Sequence, residues 1–375
     1  MTPTPQPPLH LVRPEIRAER AYRVPTTTEA LAKVDQNESP FDCPPEIKRA
    51  ALARFAEEPW NRYPDDRPHR LVAALAERHG WPAEGVIVGR GSNELTHTLG
   101  LCFYDAGTPV VLPTPMFALY ASVARMHGAR IVPVAPEPDL SHSADAILGA
   151  AVESGAAVTV VTTPNNPTGR SVSHDDLRRL AAGVPGLLLI DEAYYEFQQG
   201  PDALDLLREF PNVLVQRTFS KAMGLAGIRL GVLLGHPELV AEIEKARLPF
   251  LVDRLSEAVG LEILARPELV AERVAQLKAE RAELEAFVAG FDGTEVIPST
   301  ANFFLFRTPL PADELRARLA EAGVLVRDVT GYPELAPAGG RPGWLRVSVG
   351  SEAETGAFRT AFAAAMAGEP VAGGA

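Results

Sequence analysis

Short apolar runs recur through the first two thirds of the chain, and a polar, glycine-bearing cluster follows several of them. The runs at 86–88, 110–112, 131–134, 158–161, 187–190, 213–215 and 230–234 read as buried strands. Between them 71–79, 117–127 and 143–152 read as helices, and a further helix begins near Ser173 with Asp175 and Asp176 in its first turn. Pro45 is well placed to open a helix over 45–56, and Gly80 to close the one before it. Apolar strands alternating with amphipathic helices predict an α/β fold. Its large domain would be a three-layer, mostly parallel sheet covered on both faces.

Beyond Pro237 the pattern changes. A long amphipathic stretch over 266–287 precedes short strands at 295–297, 302–306, 324–327 and 344–349, with a last helix over 352–366. This predicts a smaller α+β domain. At the other end, Pro14, Pro25 and Pro40 interrupt a segment with little periodicity. The expected division is an N-terminal arm at 1–40, a large domain at 41–265 and a small C-terminal domain at 266–375. The tail from Gly368 is expected to fray.

Composition narrows the possible roles. The 36 basic and 48 acidic side chains give 36 − 48 = −12, which argues against nucleic acid as the main partner. An anionic substrate must then be held by local arginines. Cys43 and Cys102 have no metal-ligand spacing, so no metal is expected, and two cysteines suit a reducing cytoplasm. No apolar run approaches the ~18 residues of a membrane span. The opening 1–9 is proline-rich and lacks a basic-then-apolar signal pattern, so a cytoplasmic location is expected.

The candidate chemistry centres on the stretch from Arg217 to Arg229. Lys221 lies there on a connection between two apolar strands, among small and apolar neighbours. Desolvation or a nearby cation lowers a lysine pKa and makes the amine a nucleophile toward carbonyls. Arg229 can supply that cation and can bind phosphate, and Ser220 adds a hydroxyl. Lysine, hydroxyl and arginine together suit pyridoxal 5′-phosphate. The alternative is a glycine-containing loop with a surface lysine. The strand–turn–helix around Gly91, Ser92 and Asn93 offers free first-turn N–H groups to an anion, or simple helix capping. Asp191 ends a buried strand and needs a cationic partner, which a protonated pyridine would be. Asn166 and Tyr194 can hydrogen-bond a phenolic oxygen, and Phe117 can stack on a ring. Taken singly, each has an ordinary structural reading. The clusters at 91–93, 163–169, 191–194 and 218–221 all follow apolar runs, and ligands sit at such strand ends in parallel sheets.

Together these residues resemble the class I/II aminotransferases of the pyridoxal-phosphate fold type I group. The resemblance runs from about Leu11 to Phe362. It rests on the stretch 12–17 with Tyr22, on Asn37-Glu38-Ser39-Pro40, on Arg62-Tyr63-Pro64-Asp65 and on Gly91-Ser92-Asn93-Glu94. It continues through 164–169, Asp191-Glu192-Ala193-Tyr194, 218–229 and 345–350. The histidinol-phosphate branch of that family matches most closely. The resemblance implies that Lys221 carries the cofactor and later moves the proton, that Asp191 pairs the pyridine nitrogen, and that Asn166 and Tyr194 hold the ring oxygen. It gives the phosphate to Ser92, Asn93, Ser220 and Arg229, with Tyr63 reaching in from the other subunit of a homodimer. Phe117 occupies the ring-stacking place, where many relatives have tyrosine. Arg346, Arg327, Tyr22 and Asn37 fall near the substrate. The implied reaction is amino transfer from histidinol phosphate to 2-oxoglutarate, in histidine biosynthesis. An aminotransferase for aromatic or other amino acids, or a threonine-phosphate decarboxylase, remains open at this stage.

Overall fold

The computed structural model describes residues 7–21 and 30–368. Tyr22 and the tail beyond Gly368 lie outside the described residues.

Thirteen strands form three sheets among the described residues. The large sheet has seven: β2 (Val86–Gly89), β3 (Pro109–Pro113), β4 (Arg130–Val134), β5 (Val158–Thr162), β6 (Leu187–Asp191), β7 (Val213–Thr218) and β8 (Gly231–Gly235). Their order is β2-β8-β7-β6-β5-β3-β4. The pairs β3–β4, β3–β5, β5–β6 and β6–β7 are parallel, and β8 runs antiparallel to both neighbours. A four-stranded antiparallel sheet follows, order β12-β13-β10-β9, from β9 (Glu295–Ile297), β10 (Phe303–Arg307), β12 (Arg327–Asp328) and β13 (Leu345–Ser348). The two remaining strands, β1 (Ala32–Lys33) and β11 (Val324–Leu325), pair in parallel.

The central strands are largely apolar because both faces of the large sheet are covered there, whereas the edge strand β4 exposes Arg130 and Pro133. Side chains alternate across the sheet. Val111, Val161, Leu188, Ile190, Val213 and Val215 enter one core, while Val110, Val158, Val160, Leu189 and Leu214 enter the other. Helix ends are set locally. Ser143, Ser173 and Ser351 cap helices through their hydroxyls, and Gly80 closes His69–His79 at φ 56. The helix Pro267–Ala289 gives Val270, Val274 and Leu277 to the large-sheet core and Leu284 and Val288 to the small-sheet core. It spans the junction between the two sheets. The stretch read as one strand at 324–327 is two, since β11 pairs with β1 and β12 joins the four-stranded sheet.

Candidate active site

The C-terminal ends of β5, β6 and β7 open into a cleft of about 650 Å³, closed on its far side by β12, β13 and the segment 35–38. Ser92, Asn93, Phe117, Asn166, Asp191, Tyr194, Ser220, Lys221, Arg229, Asn37, Arg327 and Arg346 all line it. Tyr63 does not. The residue is 77% exposed, and its ring stacks on Phe250 at 4.8 Å.

Lys221 follows β7 by three residues, on the turn that leads to β8. Its Nζ donates to the main-chain oxygens of Gln36 at 3.0 Å and Asn37 at 3.1 Å, and lies over the Tyr194 ring. Asn37 takes the left-handed φ of 54. Burial foremost, then Arg346 and Arg229, lowers the Lys221 pKa to about 7, with Glu38 opposing. The amine therefore gains or loses a proton near neutrality.

Asp191 is buried. Its Oδ2 accepts from the Tyr120 hydroxyl at 2.7 Å and its Oδ1 from Ala193 N at 3.0 Å. Burial pushes the carboxyl upward from its ordinary value, and these two donors pull against it. No described cation pairs with it. A protonated ring nitrogen would fill that role.

The anion end is built by close approach. Gly91 caps the helix Ser92–Phe103 at φ 83, and a Cβ there would sit 2.5 Å from Arg229 Nη2. At Gly231 a Cβ would collide with Ser92 N. Only glycines admit this packing of arginine and helix start. The Arg229 guanidinium is tethered to Ala226 O at 3.0 Å, and Thr218 donates to the Ser220 hydroxyl at 3.1 Å. A phosphate at this helix start would meet free N–H groups, a hydroxyl and a guanidinium.

The opposite wall joins distant parts of the chain. Arg346 and Arg327 stand directly opposite on β13 and β12. Arg346 donates to Asn166 Oδ1 at 2.5 Å and to Asp35 O at 2.6 Å, while its buried Nε has no partner. Burial chiefly, with Arg327 adding to it, holds the Arg346 guanidinium below its ordinary value. Among the described residues Arg327 forms no ion pair, and Asp328 lies toward Arg316 instead, at 4.0 Å. Asn37 Nδ2 donates to the Tyr194 hydroxyl at 3.0 Å.

Residues 30–362 match the family described as aminotransferase class I and II. The chain belongs to that family. It is similar to the histidinol-phosphate aminotransferase of Chlorobaculum parvum, 43% identical over 323 residues, covering 86% of this chain and 91% of that one. The enzyme of the same name from Chlorobium phaeovibrioides is 42% identical over 324 residues, covering 86% and 90%. Among solved structures, histidinol-phosphate aminotransferase from Sinorhizobium meliloti, in complex with pyridoxal-5′-phosphate, superposes with a TM-score of 0.84. The two are 25% identical, and the match covers 96% of this chain and 98% of that one. The fold is that of the pyridoxal-phosphate fold type I aminotransferases, and this chain is a transferase whose cofactor is pyridoxal 5′-phosphate.

Three residues of the cleft floor, Tyr120, Gln216 and Thr96, were not among the sequence candidates. Tyr120 lies within a helix and reads as core. Gln216 was the visible signal, a polar side chain directly after the apolar run Val213-Leu214-Val215.

Proposed function

We propose that this aminotransferase moves the amino group of histidinol phosphate to 2-oxoglutarate, giving imidazole acetol phosphate and glutamate in histidine biosynthesis. The observation that carries the substrate choice is the facing pair Arg327 and Arg346. Like charges directly opposite in a sheet repel, and Arg327 has no counter-ion among the described residues. A carboxylate is satisfied by one arginine fork. A phosphate dianion has the charge and the oxygens to engage two. The names of the relatives at 42–43% identity support the same reading.

The cofactor, when bound, supplies an aldehyde that takes up the amino group and a ring that spreads the electrons released at the substrate carbon. The protein does the rest. Ser92, Asn93, Ser220 and Arg229 hold the cofactor phosphate. Asp191 carries the negative charge that keeps a ring-nitrogen proton in place. Phe117 covers the ring face, and Tyr194 with Asn166 orients its oxygen. Lys221, with a pKa about 7, serves first as nucleophile and then as the base that moves the proton at Nζ. Arg346 binds the anionic end of both substrates, Arg327 adds to it for the phosphate, and Asn37 and Tyr22 border the substrate. The division at 41 and 266 into arm, cofactor domain and small domain is part of this reading.

The working unit is proposed to be a two-fold homodimer in the cytoplasm. Exposed Trp60, Tyr63 and Leu248, at 72%, 77% and 72%, support it, since large apolar side chains left in water favour a cover. Tyr63 would reach the partner's cofactor phosphate. Sedimentation of a fully active monomer would refute this. No helix among the described residues is long and apolar enough to cross a membrane.

The test of substrate is a panel of amino donors added to purified holoenzyme, following the absorbance change of the bound cofactor. Histidinol phosphate should drive the conversion at micromolar to low-millimolar concentration. Faster conversion with aromatic amino acids would move the assignment to another aminotransferase.

A further inference from the structure

A file of hydrogen bonds runs beneath the cleft, from the phosphate end to Asp191. The Thr96 hydroxyl donates to Ser92 O at 3.1 Å, on the first turn of the helix Ser92–Phe103. Gln216 Nε2 donates to Thr96 Oγ1 at 3.2 Å and to the Tyr120 oxygen at 2.9 Å. Tyr120 donates in turn to Asp191 Oδ2 at 2.7 Å. All four side chains are buried, Tyr120 and Gln216 to within 1% exposure.

The direction of the file is forced by the chemistry of its ends. An ionised carboxylate only accepts, and an amide NH2 only donates. The Tyr120 oxygen accepts from Gln216, so its single proton is left for Asp191. Burial and the nearby Asp191 charge hold the phenol protonated. Gln216 Oε1 has no partner, so the amide gives up a bond of its own to keep this orientation.

We infer that Tyr120, backed by Gln216, is a positioning residue that fixes Asp191 and decides where a proton shared with the cofactor's ring nitrogen resides. A carboxylate that already accepts hydrogen bonds is a weaker base, because those bonds stabilise its charged form. With Tyr120 and Ala193 both donating, the shared proton stays on nitrogen. Without the tyrosine hydroxyl the carboxylate gains basicity and draws the proton off. The inference rests on Asp191 facing that nitrogen, as proposed above.

The experiment loads apo protein with cofactor labelled with ¹⁵N in the ring and reads the nitrogen resonance at neutral pH. Four variants are compared with the parent: D191N, Y120F, Q216M and Y104F. Tyr104 is another buried tyrosine, edge-on to His127 at 6.4 Å and away from the cleft, and it controls for the loss of any buried hydroxyl. D191N should move the resonance fully to the unprotonated value. Y120F should move it partway, with the preference for nitrogen over carboxylate falling about tenfold. Q216M should move it the same way by less, and Y104F not at all. A parental resonance in Y120F beside a displaced one in D191N overturns the inference and leaves the role of Asp191 standing. A parental resonance in D191N overturns both. If Y120F does not fold or load, Q216M decides, and a parental resonance there overturns the inference.

Discussion

The floor of the cleft and its small-sheet wall are built on opposite terms. On the floor, Asp191 has a donor on each oxygen, and the next residue faces away into a second buried cluster. There Arg217 meets Glu192 Oε2 at 2.7 Å and Asp202 Oδ2 at 2.8 Å, and its guanidinium lies 3.7 Å from the Tyr195 ring centre. Burial works against the Arg217 charge, but Glu192, Tyr195 and Asp202 outweigh it, and its pKa is raised. This cluster ties the end of β6 to the end of β7, which deliver Asp191 and the Lys221 turn. On the wall, Arg346 Nε and Asn37 Oδ1 are buried without partners, and two arginines face each other. A buried unmet polar group costs about 1–3 kcal/mol until something meets it. The floor holds such an atom too, Gln216 Oε1, but both Asp191 oxygens are met, so the carboxylate is set before any ligand arrives, as preorganised electrostatic catalysis requires. The wall leaves a donor, Arg346 Nε, and an acceptor, Asn37 Oδ1, without partners, as the proposed substrate selection requires. On the function proposed above, reaction type belongs to the first region and substrate identity to the second.

The largest effect that could break this division is at Lys221. Lys221→Ala should fold, bind cofactor without a covalent bond and lose turnover by on the order of 10⁵-fold. Borohydride should then yield no cofactor–lysine adduct, and mass spectrometry finding the adduct on another lysine would remove Lys221 from the floor. Next comes Asp191→Ala, expected to lose about 10³-fold in kcat for every amino donor alike. Near-normal turnover, or a loss confined to one donor, would mean that this carboxylate is structural or belongs with the wall.

A smaller effect concerns stability and pH. The Lys221 pKa in the folded apo protein is about 7, below the ordinary lysine value of 10.5, so the unfolded chain binds more protons between these limits. The stability of the parent should therefore rise with pH across that window. Lys221→Met removes the penalty, so apo K221M should melt higher than the parent by about 2 °C or more at and below neutrality. The gap should be constant below pH about 7 and close toward 10.5. Calorimetry showing a gap that widens with pH would contradict the assigned direction.

The two regions also differ in how far they could be read from sequence. The floor was legible where function falls at the end of a continuous apolar run. Asp191 closes such a run, and Lys221 and the glycine turn before Ser92 follow one, so their placement is local. Tyr120 was not legible, because a tyrosine on the apolar face of a helix looks like any core residue until Asp191 is found beside it. Nor was the Arg217 cluster, since its partner at 192 is placed by the pairing of β6 with β7 and its partner at 202 comes from a loop. On the wall, Arg327 and Arg346 were found through family resemblance. That they face each other depends on the register of β12 with β13, which no local pattern encodes. The Gln36 and Asn37 carbonyls that hold Lys221 were equally out of reach, because main-chain groups leave no mark in a sequence.

The central claim is that a separable wall selects a phosphorylated substrate. It is tested most directly by measuring kcat/KM of Arg327→Ala and Arg346→Ala with histidinol phosphate and with glutamate. Losing one arm of a charge-assisted contact costs about 2–3 kcal/mol, so Arg327→Ala should lose about 10²-fold with histidinol phosphate and no more than about threefold with glutamate. Arg346→Ala should lose about 10²-fold or more with both. Equal losses for the two donors in Arg327→Ala, or no loss with either, would contradict the account.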